Sequence, residues 1–131
     1  MKVQARITGG KIHEVGYRFH LLIKAMELGC ERFFARNRLE DGRQLLLALT
    51  EGDEFQIAEF KRFTETSRPE GAEVETVALE DYHGPVMSVD RYLHFFIADQ
   101  LNKGITALLR NDRKQDEMLE KQDNLLETQE K

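Results

Sequence analysis

Hydrophobic and polar positions alternate strictly from Lys2 to Thr8, with Val3, Ala5 and Ile7 on one side and Lys2, Gln4 and Arg6 on the other. That is the period of a half-buried strand. After the glycine-bounded stretch GGKIHEVG, the segment YRFHLLIKAMELG changes to helical spacing. Phe19, Leu22, Ile23 and Met26 are its expected core stripe, and Gly29 is its stop signal. RFFARNRLEDGRQLLLALT returns to strand character on both sides of Asp41-Gly42, a dipeptide that favours the tight turn of a hairpin. GDEFQIAEFKRFTETSR reads as a second amphipathic helix, begun by Asp53 as N-cap and ended before Pro69. AEVETVALEDY supplies a last strand whose apolar phase slips between Val74 and Val77, which predicts a bulge or an early break. The order β-α-β-β-α-β over residues 1 to about 82 predicts an α+β, ferredoxin-like fold, with both helices on one face of an antiparallel sheet.

The remaining residues obey a different rule. HGPVM (83–87) is a connector, and Ser88 is a suitable N-cap for a helix that begins at Val89. Val89, Leu93, Phe96, Ile97, Leu101, Ile105 and Leu108 recur at helical spacing, which predicts one long helix with Gly104 as its weak point. KQDEMLE (114–120) and KQDNLLE (121–127) then repeat with a period of seven, aligning Met118 with Leu125 and Leu119 with Leu126. A coiled coil that joins copies of the chain and a solvated helical tail both fit, since Gln115 and Gln122 place polar groups in the seam. The expected division is a domain at 1–84 and a helical extension at 85–131.

Charge narrows the function classes. The chain carries 19 basic and 24 acidic residues, a net charge of −5 without a basic arm, which argues against a nucleic-acid partner. No apolar run approaches the roughly 20 residues that span a bilayer, and no leader pattern is present, so a cytoplasmic protein without a membrane partner is expected. Cys30 is the lone cysteine and reads as a buried, inert thiol. No His, Cys, Asp or Glu spacing suits a metal, and His20, His83 and His94 read as surface residues.

Within this frame, GKIHEVGYR resembles the acylphosphatase signature through Gly10, Val15, Gly16, Tyr17 and Arg18, with Ile12 in place of the usual valine. FFARNRLEDGR is similar to the family's second block, with Asn37 at its asparagine and Asp41-Gly42 at its turn. RPEGAEVETV looks like the segment that precedes the last core strand. The resemblance covers residues 1 to about 82, and residues 83–131 have no counterpart in the common small members. It implies an acylphosphatase-like fold and hydrolysis of small acyl phosphates to carboxylate and phosphate, with no metal, cofactor or covalent intermediate. Arg18 would bind the phosphoryl oxygens with its planar fork of donors. The backbone amides of His13, Glu14, Val15, Gly16, Tyr17 and Arg18 would form the cradle. Asn37 would orient the attacking water.

The main departure from the family's pattern is at His13-Glu14, where Gln-Gly is usual. Glu14 stands where a glycine is usual, at a position expected to need φ > 0, where a non-glycine residue costs about 1–2 kcal/mol. Its carboxylate also opposes an anion in the cradle. Three outcomes are open: Glu14 points to solvent and the enzyme works; Glu14 pairs with Arg18; or the site is degenerate and the C-terminal helix, through self-association or a partner, is the functional part.

Overall fold

The computed structural model describes the backbone of residues 1–130 and the side chains of residues 1–111. Its elements are β1 (Lys2–Lys11), α1 (Tyr17–Glu27), β2 (Arg32–Glu40), β3 (Arg43–Glu51), α2 (Glu54–Thr66), β4 (Glu73–Asp81) and α3 (Val89–Glu130). The sheet has the order β2-β3-β1-β4, and every neighbouring pair is antiparallel. The expected βαββαβ core and long C-terminal helix are both present. The chain divides into two compact units, residues 1–92 and 93–131.

The core follows the strand alternation. Val3, Ala5 and Ile7 are fully buried, as are Leu46, Ala48 and Phe33, which the register places on the same face. Phe33 meets Phe60 of α2 edge to face at 6.4 Å, which identifies that face as the one the helices cover. Each large apolar side chain buried there contributes about 1.5–3 kcal/mol.

Local signals set the element ends. Asp41 and Gly42 both have positive φ, 52° and 78°, as a two-residue type I′ turn requires. Asp53 and Gln56 close a capping box at the start of α2. At the end of α1, Gly29 has φ 78°, Gly29 N–H donates to Met26 O and Cys30 N–H to Ala25 O, a Schellman stop. The bulge expected in the last strand lies at Glu75: Thr8 pairs with Thr76 and Gly9 with Val74, so Glu75 has no partner on β1.

Two expectations need correction. Gly9 and Gly10 belong to β1, not to the loop. A Cβ on Gly9 would stand 2.0 Å from the Glu73 carbonyl oxygen, so glycine is needed there for the close approach of β4. In α1 the buried face is Tyr17, Leu21, Leu22 and Ala25, while Phe19, Ile23 and Met26 are 49%, 37% and 42% exposed. The core stripe is thus rotated from the one the spacing suggested.

The connector after β4 runs along one end of the sheet. Tyr82 N–H donates to Lys2 O, Lys2 Nζ to Gly84 O, and Arg32 to Val86 O. It then pairs with β2 through Arg32 and Ser88. Ser88 Oγ accepts from Arg91 N–H as the expected N-cap of α3. Tyr92, fully buried, donates to Ala35 O at 3.1 Å and lies against the rings of Phe33 and Phe34. Further along α3, Ile97, Leu101, Ile105 and Leu108 are 47–64% exposed. The heptads at 114–127 lie outside the described side chains. Among the described residues, no helix is long and apolar enough to cross a membrane.

Candidate functional site

The loop leaves the sheet after β1 has run out of partners on β3. Gly9 lies opposite Gln44, the second residue of β3, beside the 40–43 hairpin. Ile12 and His13 therefore meet no further strand backbone. Their amides both donate to the Gln44 side-chain oxygen, each at 2.7 Å. The His13 imidazole Nε2 sits 2.9 Å from Leu45 O, a third tether to β3.

Beyond these anchors the backbone changes hand twice. Glu14 has φ 62° and Gly16 has φ 75°, with Val15 between them at negative φ. Such alternation turns successive N–H groups toward one concave side, the geometry of an anion-binding nest. Glu14 adopts the left-handed conformation expected at its position, at a cost of about 1–2 kcal/mol. Its side chain is exposed and makes no ion pair among the described residues, so of the three open outcomes the pairing with Arg18 is not the one seen.

The amides of Glu14, Val15, Gly16 and Tyr17 make no hydrogen bond among the described residues. The His13 amide, expected in the same row, is committed to Gln44 instead. Gly16 is the N-cap of α1 and offers no side chain, so the positive end of the helix dipole opens onto the loop. Arg18 is half-buried in the first turn of α1. Across the loop, Ala72 N–H donates to Pro69 O, closing a turn with Gly71 at φ 86°. That turn abuts the loop: a Cβ on Gly71 would lie 3.9 Å from Val15 Cγ1.

Asn37 pairs with Leu46, which pairs with Ile7, and it shares the helix-covered face with both. The register puts it toward the end of the sheet from which the loop and α1 spring. Its Oδ1 is buried and has no hydrogen-bond partner among the described residues. An orphaned buried acceptor costs about 1–3 kcal/mol. The Tyr17 hydroxyl is the other such atom among the described residues. Burial raises the Tyr17 pKa above 10.0, and the nearby Arg68 charge works the other way.

Sequence reasoning missed two residues. Gln44 carries the loop, and its signal was a polar residue at the same strand parity as Leu46 and Ala48. His20 is not on a solvated face: it stacks on Phe63 at 4.7 Å and lies 3.2 Å from Ser67 Oγ. Burial holds its pKa below 6.5, with a hydrogen bond to the Ser67 backbone opposing the shift. Cys30 is buried as expected, and burial pushes its thiol pKa upward.

Residues 3–90 match the sequence profile of the Acylphosphatase family. No curated protein matches the chain. Among solved structures, full-length HypF in its phosphate- and nucleotide-bound form is similar at 17% identity and a TM-score of 0.53, over 63% of this chain and 10% of that one. An acylphosphatase from Bacillus subtilis aligns at 21% identity and a TM-score of 0.49, over 65% of this chain and 89% of that one. An acylphosphatase from Coxiella burnetii aligns at 22% identity and a TM-score of 0.45, over 64% and 83%.

Proposed function

Because the chain belongs to the acylphosphatase family, we propose that it hydrolyses small acyl phosphates, the loop from Glu14 to Arg18 holding the phosphoryl group. The observation that supports this most is the run of amides uncommitted among the described residues, on a turn with positive φ at Glu14 and Gly16, at the start of α1.

The chemistry asks for position and charge. In an acyl phosphate the leaving group is a carboxylate, a weak base, so the carboxyl oxygen departs without protonation. The amides and Arg18 would bind the equatorial phosphoryl oxygens and take up their charge as the bond breaks. Asn37 would hold the attacking water on the side opposite the acyl oxygen. Water oxygen bonds to phosphorus, the phosphorus–acyl oxygen bond breaks, and the water proton leaves with the phosphate product. No metal or cofactor enters the scheme. One buried, unpaired cysteine fits a cytoplasmic setting.

Phosphate release from benzoyl phosphate tests the reading. The wild type should exceed Arg18→Ala by roughly a hundredfold or more, the usual worth of a charge-stabilising donor. Equal rates in the two proteins would sink it.

A second reading concerns α3 and is compatible with the first. Ile97, Leu101, Ile105 and Leu108 succeed one another at spacings of four, four and three, all largely exposed. A helix stripe of that kind suits a second copy of the chain. In sedimentation velocity the full chain should be a dimer or larger, and Leu101→Glu with Leu108→Glu should return it to a monomer. A monomeric wild type at tens of micromolar would exclude this role.

A further inference from the structure

β3 has no backbone acceptor left for the Ile12 and His13 amides. Its ladder with β1 ends at the pair Gly9 and Gln44, and the chain on the other side of Gln44 turns into the 40–43 hairpin. The Gln44 side chain takes over at this point. A carbonyl oxygen has two lone pairs, and Oε1 uses both, one on Ile12 N–H and one on His13 N–H, at 2.7 Å each. The side chain thus extends β3 by one more rung. The rung falls directly before Glu14, the residue held at φ 62°. A strained conformation persists where its surroundings over-determine it. Gln44 and the His13 tether to Leu45 O are the contacts that do so on the N-terminal side.

We infer that Gln44 is the positioning residue of the loop: by gripping the Ile12 and His13 amides, it fixes the direction of the Glu14–Tyr17 amides and so sets their affinity for a phosphoryl anion. The inference rests on the proposed phosphoryl role of the loop. Gln44 acts through the loop and does not itself touch substrate. Its role also explains why a polar residue stands at the core parity of β3, between Gly9 and Leu39.

The test uses the full chain and two readouts, amide hydrogen exchange at Ile12 and His13, and titration with inorganic phosphate. Gln44→Met keeps the side chain's length and removes the acceptor. Gln44→Asn is one methylene shorter and cannot reach both donors, and serves if the Met variant does not fold. Gln44→Glu keeps an acceptor and should preserve slow exchange. In Gln44→Met, exchange at Ile12 and His13 should accelerate roughly tenfold or more, as for the loss of one or two hydrogen bonds. Its phosphate dissociation constant and its KM for benzoyl phosphate should rise by a similar factor, with kcat changed less. Unchanged exchange would overturn the inference. So would faster exchange with unchanged phosphate affinity, since Gln44 would then be an anchor without consequence for the anion. If the wild type binds no phosphate, the phosphoryl role of the loop fails and the inference fails with it. The first two outcomes leave that role standing.

Discussion

Glu14 sits at φ 62°, a conformation that favours glycine. A glycine would hold that conformation without the Cβ clash that costs about 1–2 kcal/mol. Glu14→Gly should therefore raise the stability of the protein by about 1 kcal/mol, read as a higher urea midpoint at unchanged slope. On the proposed function it should also raise kcat/KM for benzoyl phosphate, because the exposed carboxylate would repel the anion that the loop is proposed to hold. A lower midpoint would mean that Glu14 is not strained. Asn37, proposed to orient the attacking water, is the opposite case, a residue whose orphaned acceptor costs stability. Its orphaned Oδ1 predicts that Asn37→Leu folds with equal or greater stability and loses most turnover. A destabilised and fully active variant would contradict its assignment. Both residues were legible in the sequence, Glu14 as a departure from the loop's pattern and Asn37 as an amide on a strand. Gln44 was not, because its role depends on where β1 ends against β3, a fact of register that no local pattern encodes.

At the scale of elements, the most readable features were those set by short-range chemistry. The Asp41-Gly42 turn, the Asp53 cap, the Gly29 stop and the Val74–Val77 slip each involve residues within a few positions of one another. The rotation of α1 was not readable, because the helix carries two apolar stripes that share Leu22: Tyr17, Leu21 and Ala25 on one side, Phe19, Ile23 and Met26 on the other. Only the path of the loop into Gly16 decides which one meets the sheet. The same rotation brings His20 against Phe63 and Ser67 at the junction of α1 with α2. Its folded pKa is depressed below 6.5 by burial, so the folded state binds fewer protons than the unfolded chain. The stability it contributes is complete above pH 6.5 and is lost as pH falls through the depressed value. Denaturation midpoints should fall between pH 7.5 and pH 5, and His20→Phe should shrink that fall. An equal fall in wild type and variant would place the sensitivity elsewhere.

The whole molecule joins a family domain to a helix on which Ile97, Leu101, Ile105, Leu108 and Leu109 are exposed. Residues 3–90 carry the family match, and α3 begins inside it, at Val89. The first turn of α3 is part of the domain's packing, since Tyr92 is fully buried against β2 and bonds to Ala35 O. Tyr92→Ala should accordingly destabilise the domain by about 3 kcal/mol or more, as for other large buried aromatic side chains. A change below 1 kcal/mol in the denaturation free energy would show that the domain holds without it. The helix was legible from its spacing, whereas the buried role of Tyr92 was not: 92 falls outside the stripe that begins at Val89 and continues through Leu93.

If the 14–18 loop remains an anion cradle although a glutamate occupies it, inorganic phosphate should bind there. Titration of the full chain with phosphate, read from amide nitrogen and proton shifts, decides the matter. Saturable shifts should concentrate at Glu14, Val15, Gly16, Tyr17 and Arg18, together with the Asn37 side-chain amide. Shifts scattered over the surface, or none at millimolar phosphate, would contradict the cradle.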